Sequence, residues 1–218
     1  MRQLILDLLP ESPPAFENFV PGRNIEALTG LVAWLLPDNR ETLFGLWGET
    51  GAGKSHLLRA CAASYHDAHD DASLDDLPTD DGFCAVDHLE ALDGQGQIRL
   101  FNAINRLRAS GGRLLTASSA PPRQLALRED LRSRLASGLV HRLHALSDAE
   151  KLAALEEQAA QRGLALPNEA LPYLIRRVPR DMRTLSALLA AIDRYSLEHK
   201  RPVTLPLLRE VLQTASHP

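Results

Sequence analysis

With 218 residues, 44% hydrophobic content, two cysteines and a net charge of −4, the chain has the composition of a soluble globular protein, one domain or one domain plus a small appendage. No apolar run approaches the roughly 18 residues of a membrane helix. No basic-then-apolar opening marks a secretion signal, and two distant cysteines, Cys61 and Cys84, argue against a disulfide framework or a close metal-type pair. A reducing cytoplasm is the expected location, and the bulk charge gives no reason to expect nucleic acid.

The first ten residues are too apolar for an idle terminus, and Pro10, Pro13 and Pro14 isolate them from the rest of the chain. They are either a binding tag on a proline tether or a strand folded back on the core. Asn24 is a suitable N-cap for a helix whose apolar period runs through Ile25, Leu28, Leu31, Val32 and Leu35 and stops at Pro37. Residues 42–47 read as a buried strand.

The segment Gly48-Glu49-Thr50-Gly51-Ala52-Gly53-Lys54-Ser55 follows that strand and precedes a helical pattern from His56 to Ala63. It fits G-x-x-x-x-G-K-[ST] at every fixed position, in the strand–loop–helix context the motif requires. Glycines let consecutive N–H groups turn inward onto phosphate oxygens, and the helix start behind them favours anions. Lys54 would reach the β-phosphate, and a γ-phosphate if present, while Ser55 would ligate Mg²⁺.

From Ala62 to Asp93 there are ten acidic residues and no Lys or Arg; from Arg99 to Arg142 there are nine arginines with Glu129 and Asp130 as the acids. Such a charge dipole favours oriented docking. Residues 65–81 lack periodicity and read as an acidic loop; His66, Asp67, His69 and Asp70 within it are assigned to solvent rather than to a metal. Residues 82–87 form a second strand ending in Asp87, placed to reach the Mg²⁺ water shell. A helix over 94–110 stops at Gly111-Gly112, and 113–118 is a third strand whose end, at Ser118 or Ser119, either touches a γ-phosphate or caps the strand. A short helix over 128–135 carries Arg128, Arg132 and Arg134, and 138–143 is a fourth strand. Ser147-Asp148-Ala149-Glu150 is a capping box, and the remainder is helical: to Arg162, then about 168–178, 181–199 and 205–214. A subdomain boundary falls near Ala145–Leu146.

Taken in order, the phosphate loop, the strand-end Asp, the polar strand end, the arginine-bearing helix and an all-helical lid resemble an AAA+ ATPase domain. Within that class the chain is similar to the DnaA-related proteins, most closely the DnaA regulators of the Hda type. Residues 16–24 resemble the segment beside the adenine, 120–125 the turn after the sensor 1 strand, and 131–139 the arginine-finger helix, with Arg134 in the finger position. Asp181-Met182-Arg183-Thr184-Leu185 resembles the start of the sensor 2 helix. Gln3-Leu4-Ile5-Leu6-Asp7-Leu8 resembles the peptide by which such proteins dock on the DNA sliding clamp.

The resemblance implies an α/β AAA+ core with a parallel sheet over 16–146, a helical lid over 147–218, and a clamp-binding peptide with its linker over 1–15. It implies nucleotide contacts at Phe19, Val20, Gly48, Thr50, Gly51, Ala52, Gly53, Lys54, Ser55, His56 and Arg183, with Mg²⁺ held through Ser55 and Asp87. Arg134, with Asp87, would carry the chemistry. Gln3, Leu4, Leu6 and Leu8 would bind the β sliding clamp of DNA polymerase III. The function implied is regulation of replication initiation: from a clamp on DNA the protein would promote hydrolysis of DnaA-bound ATP through Arg134 supplied in trans. DnaA and the clamp are then the partners, DNA is reached through the clamp, no membrane is involved, and side-by-side assembly with further copies is typical of AAA+ relatives.

Three departures bear on this reading. The span from Lys54 to Asp87 is short, as if one edge strand and its helix were missing, which would leave 83–86 as the sheet edge. His88 stands where DnaA has a second acid, and Ser119 where DnaA has an acidic sensor 1 residue. ADP or ATP would therefore be a structural ligand, ADP the expected one, with weak or no intrinsic hydrolysis. The complete phosphate loop supports an alternative, an ATP-hydrolysing initiator-like or helicase-loader protein; direct DNA binding by the arginine-rich face is a third.

Overall fold

The computed structural model describes residues 13–62, 64–77 and 82–214. From Pro14 onward the described residues divide into two compact units, Pro14–Ala145 and one that begins at Leu146. The first is built on a sheet of strands β1 (Leu43–Trp47), β2 (Ser64–Asp67), β3 (Phe83–Asp87), β4 (Arg113–Ser118) and β5 (Leu139–Arg142). Their order is β2-β3-β4-β1-β5, and every pair is parallel. Side chains alternate between two cores: Leu43, Cys84, Val86 and Leu114 face one, Phe44, Leu46, Ala85, Leu115 and Ala117 the other. Helices α3 (Gly94–Ser110) and α4 (Glu129–Ala136) cover the first face; α1 (Ile25–Leu35) and α2 (Lys54–Cys61) cover the second. A sheet covered on both faces explains why its central strands read as near-continuous apolar runs.

The edge strand expected to be missing is present. β2 pairs with β3 from Ser64↔Cys84 to Asp67↔Asp87, so β3 is not an edge. The shortening falls instead on the connection from β2 to β3, which contains no helix among the described residues. β2 is polar and half-buried along its length. A strand with one neighbour and one half-covered face needs no apolar run, so Ser-Tyr-His-Asp has the look of loop when periodicity is the criterion.

The acidic stretch after β2 is also more ordered than a solvated loop. Ala68, Leu74 and Leu77 are buried in the α3–α4 core. The Asp71 carboxylate accepts from the Ser73 N–H and hydroxyl and from the Asp75 N–H. Arg99 donates to the Ser73 carbonyl at 2.6 Å and pairs with Asp75, so part of the charge dipole closes on itself.

The loop docks on the start of α3, where Asp93 caps the helix by accepting from the Gly96 N–H at 2.7 Å. A Cβ at Gly96 would lie 2.1 Å from the Ala72 carbonyl oxygen. Gly96→Ala is expected to cost about 1–3 kcal/mol, as overpacking against backbone does. A urea melt measures it, and an unchanged midpoint would show that the loop is free to move off.

Asn24 precedes α1 but does not cap it. Its side chain donates to the His144 carbonyl at 2.9 Å and accepts from the His144 N–H at 2.8 Å, tying the start of the unit to the segment after β5. Neither Cys61 nor Cys84 is in a disulfide.

The second unit holds α5 (Asp148–Gln161), α6 (Ala170–Ile175), α7 (Met182–His199) and α8 (Leu205–Thr214) around one apolar cluster that includes Leu155, Leu174, Leu188, Ile192 and Leu207. The capping box is realised: Ser147 accepts from the Glu150 N–H, and the Glu150 carboxylate accepts from the Ser147 N–H at 2.7 Å. Asp181 caps α7 by accepting from the Thr184 N–H at 2.8 Å. Among the described residues no helix is long and apolar enough to cross a membrane.

Candidate functional site

The segment Gly48–Ser55 leaves the end of β1 and enters α2. Gly48 donates its N–H to the Ser118 carbonyl at the end of β4. Gly51 and Gly53 have φ of +81° and +93°, which glycine adopts without Cβ strain. Gly53 has a second constraint: a Cβ there would lie 2.6 Å from the Phe19 ring, which packs directly on the loop. Thr50 is exposed and Ala52 is buried under the loop. Ser55 lies in the first turn of α2, half-buried. His56 donates from Nε2 to the Ala15 carbonyl at 2.9 Å, with its ring 5.7 Å from that of Phe19. This pins the Phe16–Asn18 turn, and with it Phe19 and the half-buried Val20, onto α2.

Lys54 is buried, and its ammonium donates to the carbonyls of Gly48 at 2.7 Å and Glu49 at 3.0 Å. Burial pulls it below the ordinary lysine range, while the fields of Asp87, Glu90 and Glu49 act in the opposite direction. A positive charge thus stands in a low-dielectric cradle with carboxylates around it.

Asp87 ends β3 and is fully buried. One oxygen accepts from the His88 N–H at 2.9 Å, the other from the Tyr65 hydroxyl at 2.9 Å. His88, with φ of +54°, turns towards the edge strand. Its Nδ1 donates to Asp67 at 2.7 Å, and its ring packs 4.2 Å from that of His69. Ligand atoms of Asp67, Asp87 and His88 lie within 4.8 Å of one another. Burial works against ionisation of Asp67, but the His69 N–H, the His88 ring and the Tyr65 hydroxyl outweigh it and hold the carboxyl below its usual range. The residue in the place of a second acid is therefore committed to the edge strand.

Glu90 lies on the Leu89–Ala91 turn and accepts from the Ser119 N–H at 3.1 Å. The Ser118 hydroxyl donates to the Ala120 carbonyl at 2.8 Å, so Ser118 caps its strand end. Ser55 and Asp87 offer a hydroxyl and a carboxylate oxygen, donors of the kind a hard cation such as Mg²⁺ takes, and they fit the group the motif implies.

Arg134 is half-buried on α4, its guanidinium 5.7 Å from the centre of the Phe101 ring. It has no carboxylate partner among the described residues, in contrast to Arg128, which pairs with Asp130. α4 packs on the sheet face opposite to α2, so the phosphate loop and Arg134 are not brought together on one face. Arg183 is exposed in the first turn of α7 and belongs to the helical unit. Gln3, Leu4, Leu6 and Leu8 lie outside the described residues. Sequence reasoning missed Tyr65, whose signal was the two-residue period of Tyr65 and Asp67 just after α2.

Residues 148–212 match the Hda lid domain family. The chain is similar in structure to domain III of the Thermotoga maritima replication initiation protein DnaA, with a TM-score of 0.66 at 22% identity, covering 96% of this chain and all of that one. AMPPCP-bound DnaA from Aquifex aeolicus gives a TM-score of 0.66 at 22% identity, over 88% of this chain and 68% of that one. RuvB from Thermotoga maritima gives 0.62 at 16% identity, over 93% and 72%. At these identities the likenesses establish the fold, an AAA+ core with a helical lid region.

Proposed function

We propose that this chain, with a lid that matches the Hda lid family and the fold of DnaA domain III, is a DnaA-related AAA+ protein that regulates chromosomal replication initiation by promoting hydrolysis of DnaA-bound ATP. The observation that carries the proposal is the placement of Arg134. It stands on a short helix without a carboxylate partner among the described residues, held by Phe101, on the sheet face away from this chain's own phosphate loop. A guanidinium so placed is free to enter another protein's nucleotide site. There it would stabilise charge on the γ-phosphate oxygens as water attacks, the action of an arginine finger in trans.

The chain's own loop would hold ADP or ATP with Mg²⁺. Backbone N–H groups and Lys54 would bind the phosphates, Ser55 and Asp87 the ion, and Phe19 and Val20 would shelter the base. His88 is committed to Asp67, which supports a nucleotide held more than hydrolysed, with ADP as the resident form. The second reading, an ATP-hydrolysing initiator-like or helicase-loader protein, is favoured by Glu90, whose field reaches Lys54 and which stands at the end of β4. Turnover by the isolated chain separates the two: robust hydrolysis without a partner favours the second.

The decisive assay measures hydrolysis of DnaA-bound ATP with clamp-loaded DNA, with and without this protein. Stimulation is expected, and its absence removes the regulatory reading. The peptide containing Gln3, Leu4, Leu6 and Leu8 is proposed to bind the β clamp. A Gln3→Ala, Leu6→Ala double variant should lose stimulation that depends on loaded clamps; full stimulation by the variant would refute that role.

A further inference from the structure

The edge strand β2 brings to the site a side chain that neither the motif nor the resemblance assigns. Asp87 is a buried carboxylate with one donor at each oxygen. One donor, the His88 N–H, is the next residue on the same chain. The other, the Tyr65 hydroxyl, comes from a different strand. Lys54 does not supply an orienting bond, since its ammonium is turned to the Gly48 and Glu49 carbonyls.

Tyr65 is itself held in place. Its strand position is opposite Ala85 on β3, and the Arg59 guanidinium lies 4.4 Å from its ring centre. A tyrosine hydroxyl carries a single proton to donate, and its two acceptors here are Asp87 at 2.9 Å and Asp67 at 3.2 Å, with Asp87 the nearer. The terminal torsion of an Asp side chain is broad, so a carboxylate needs an outside donor to fix its plane. A hydrogen bond to an ionised group in a low-dielectric setting is among the stronger means of doing so.

We propose that Tyr65 is a positioning residue for Mg²⁺–nucleotide, setting the orientation in which Asp87 meets the ion. This rests on the reading of Gly48–Ser55 and Asp87 as a nucleotide–Mg²⁺ site. The role belongs to the edge strand, and it gives that strand a function besides closing the sheet.

The test is titration of the full chain with a fluorescent ADP, in EDTA and in Mg²⁺. Wild type is expected to bind in EDTA and to gain affinity with Mg²⁺. Tyr65→Phe should fold, keep its affinity in EDTA, and lose about five- to tenfold of the Mg²⁺ gain, an effect the size of one ordinary net hydrogen bond. A gain that is unchanged or larger in Tyr65→Phe overturns the proposal. Ser64→Ala, on the opposite face of the same strand, should keep the gain; equal loss there would mean general damage to the edge and would overturn it too. In an Asp87→Asn background Tyr65→Phe should have no further effect, whereas additive losses would show that the hydroxyl does not act through Asp87. Wild type that binds no nucleotide at all would instead remove the underlying reading of the core.

Discussion

Arg134→Ala should abolish the stimulation of DnaA-bound ATP hydrolysis, a loss on the order of 10³-fold in rate if the residue acts as an arginine finger. The fold should survive. The substitution removes the packing of the half-buried guanidinium on Phe101, a cation–π pair worth about 0.5–2 kcal/mol. α4 remains anchored by Leu131 and Leu135, both in the core. Binding of nucleotide to this chain should also survive, because α4 lies on the sheet face opposite to α2. Arg134→Lys is the sharper variant. A lysine keeps the charge but not the planar fork that meets two phosphate oxygens, so recovery should be partial. Stimulation that persists in Arg134→Ala would move the catalytic role to another arginine of the 99–142 stretch or remove it.

Lys54→Ala should weaken nucleotide binding by roughly 30- to 150-fold, about 2–3 kcal/mol, the upper range for hydrogen bonds to charged groups. The size reflects the setting. Burial strengthens every interaction of the ammonium with phosphate, and its cost is already met in the fold by the Gly48 and Glu49 carbonyls. A calorimetric titration with ADP and ATP measures the loss. In parallel, the upward shift of melting temperature that a ligand of the native state produces should vanish in the variant. Comparable affinity in wild type and variant would show that the loop holds its shape without holding phosphate.

The two experiments are independent in what they decide. Lys54→Ala asks whether the chain binds nucleotide; Arg134→Ala asks whether the chain acts on a partner's nucleotide. If hydrolysis in DnaA is unaffected by Lys54→Ala while Arg134→Ala removes it, the bound nucleotide is not needed to present the finger. If both variants fail, the bound nucleotide is required for the active arrangement of this chain.

Features that depend on local spacing are legible in the residues themselves. The phosphate loop needs glycines at fixed positions beside Lys54, and those were readable. So were the central strands, whose two covered faces demand apolar residues throughout, and the lid helices, with the Ser147 box and the Asp181 cap at their starts. The outcome at the sheet edge and between distant segments depends on packing that no single stretch encodes. Ser64–Asp67 has no pattern that requires a strand; it becomes one because β3 offers a free row of backbone groups. Asn24 has the residue type of a cap and instead bonds His144, 120 positions away, because the fold places that backbone within reach. His88 follows Asp87 in the chain, yet its imidazole is oriented by Asp67 across the strand. In each case the partner is brought in by a neighbouring strand or segment, and no periodicity within one stretch records which neighbour that will be.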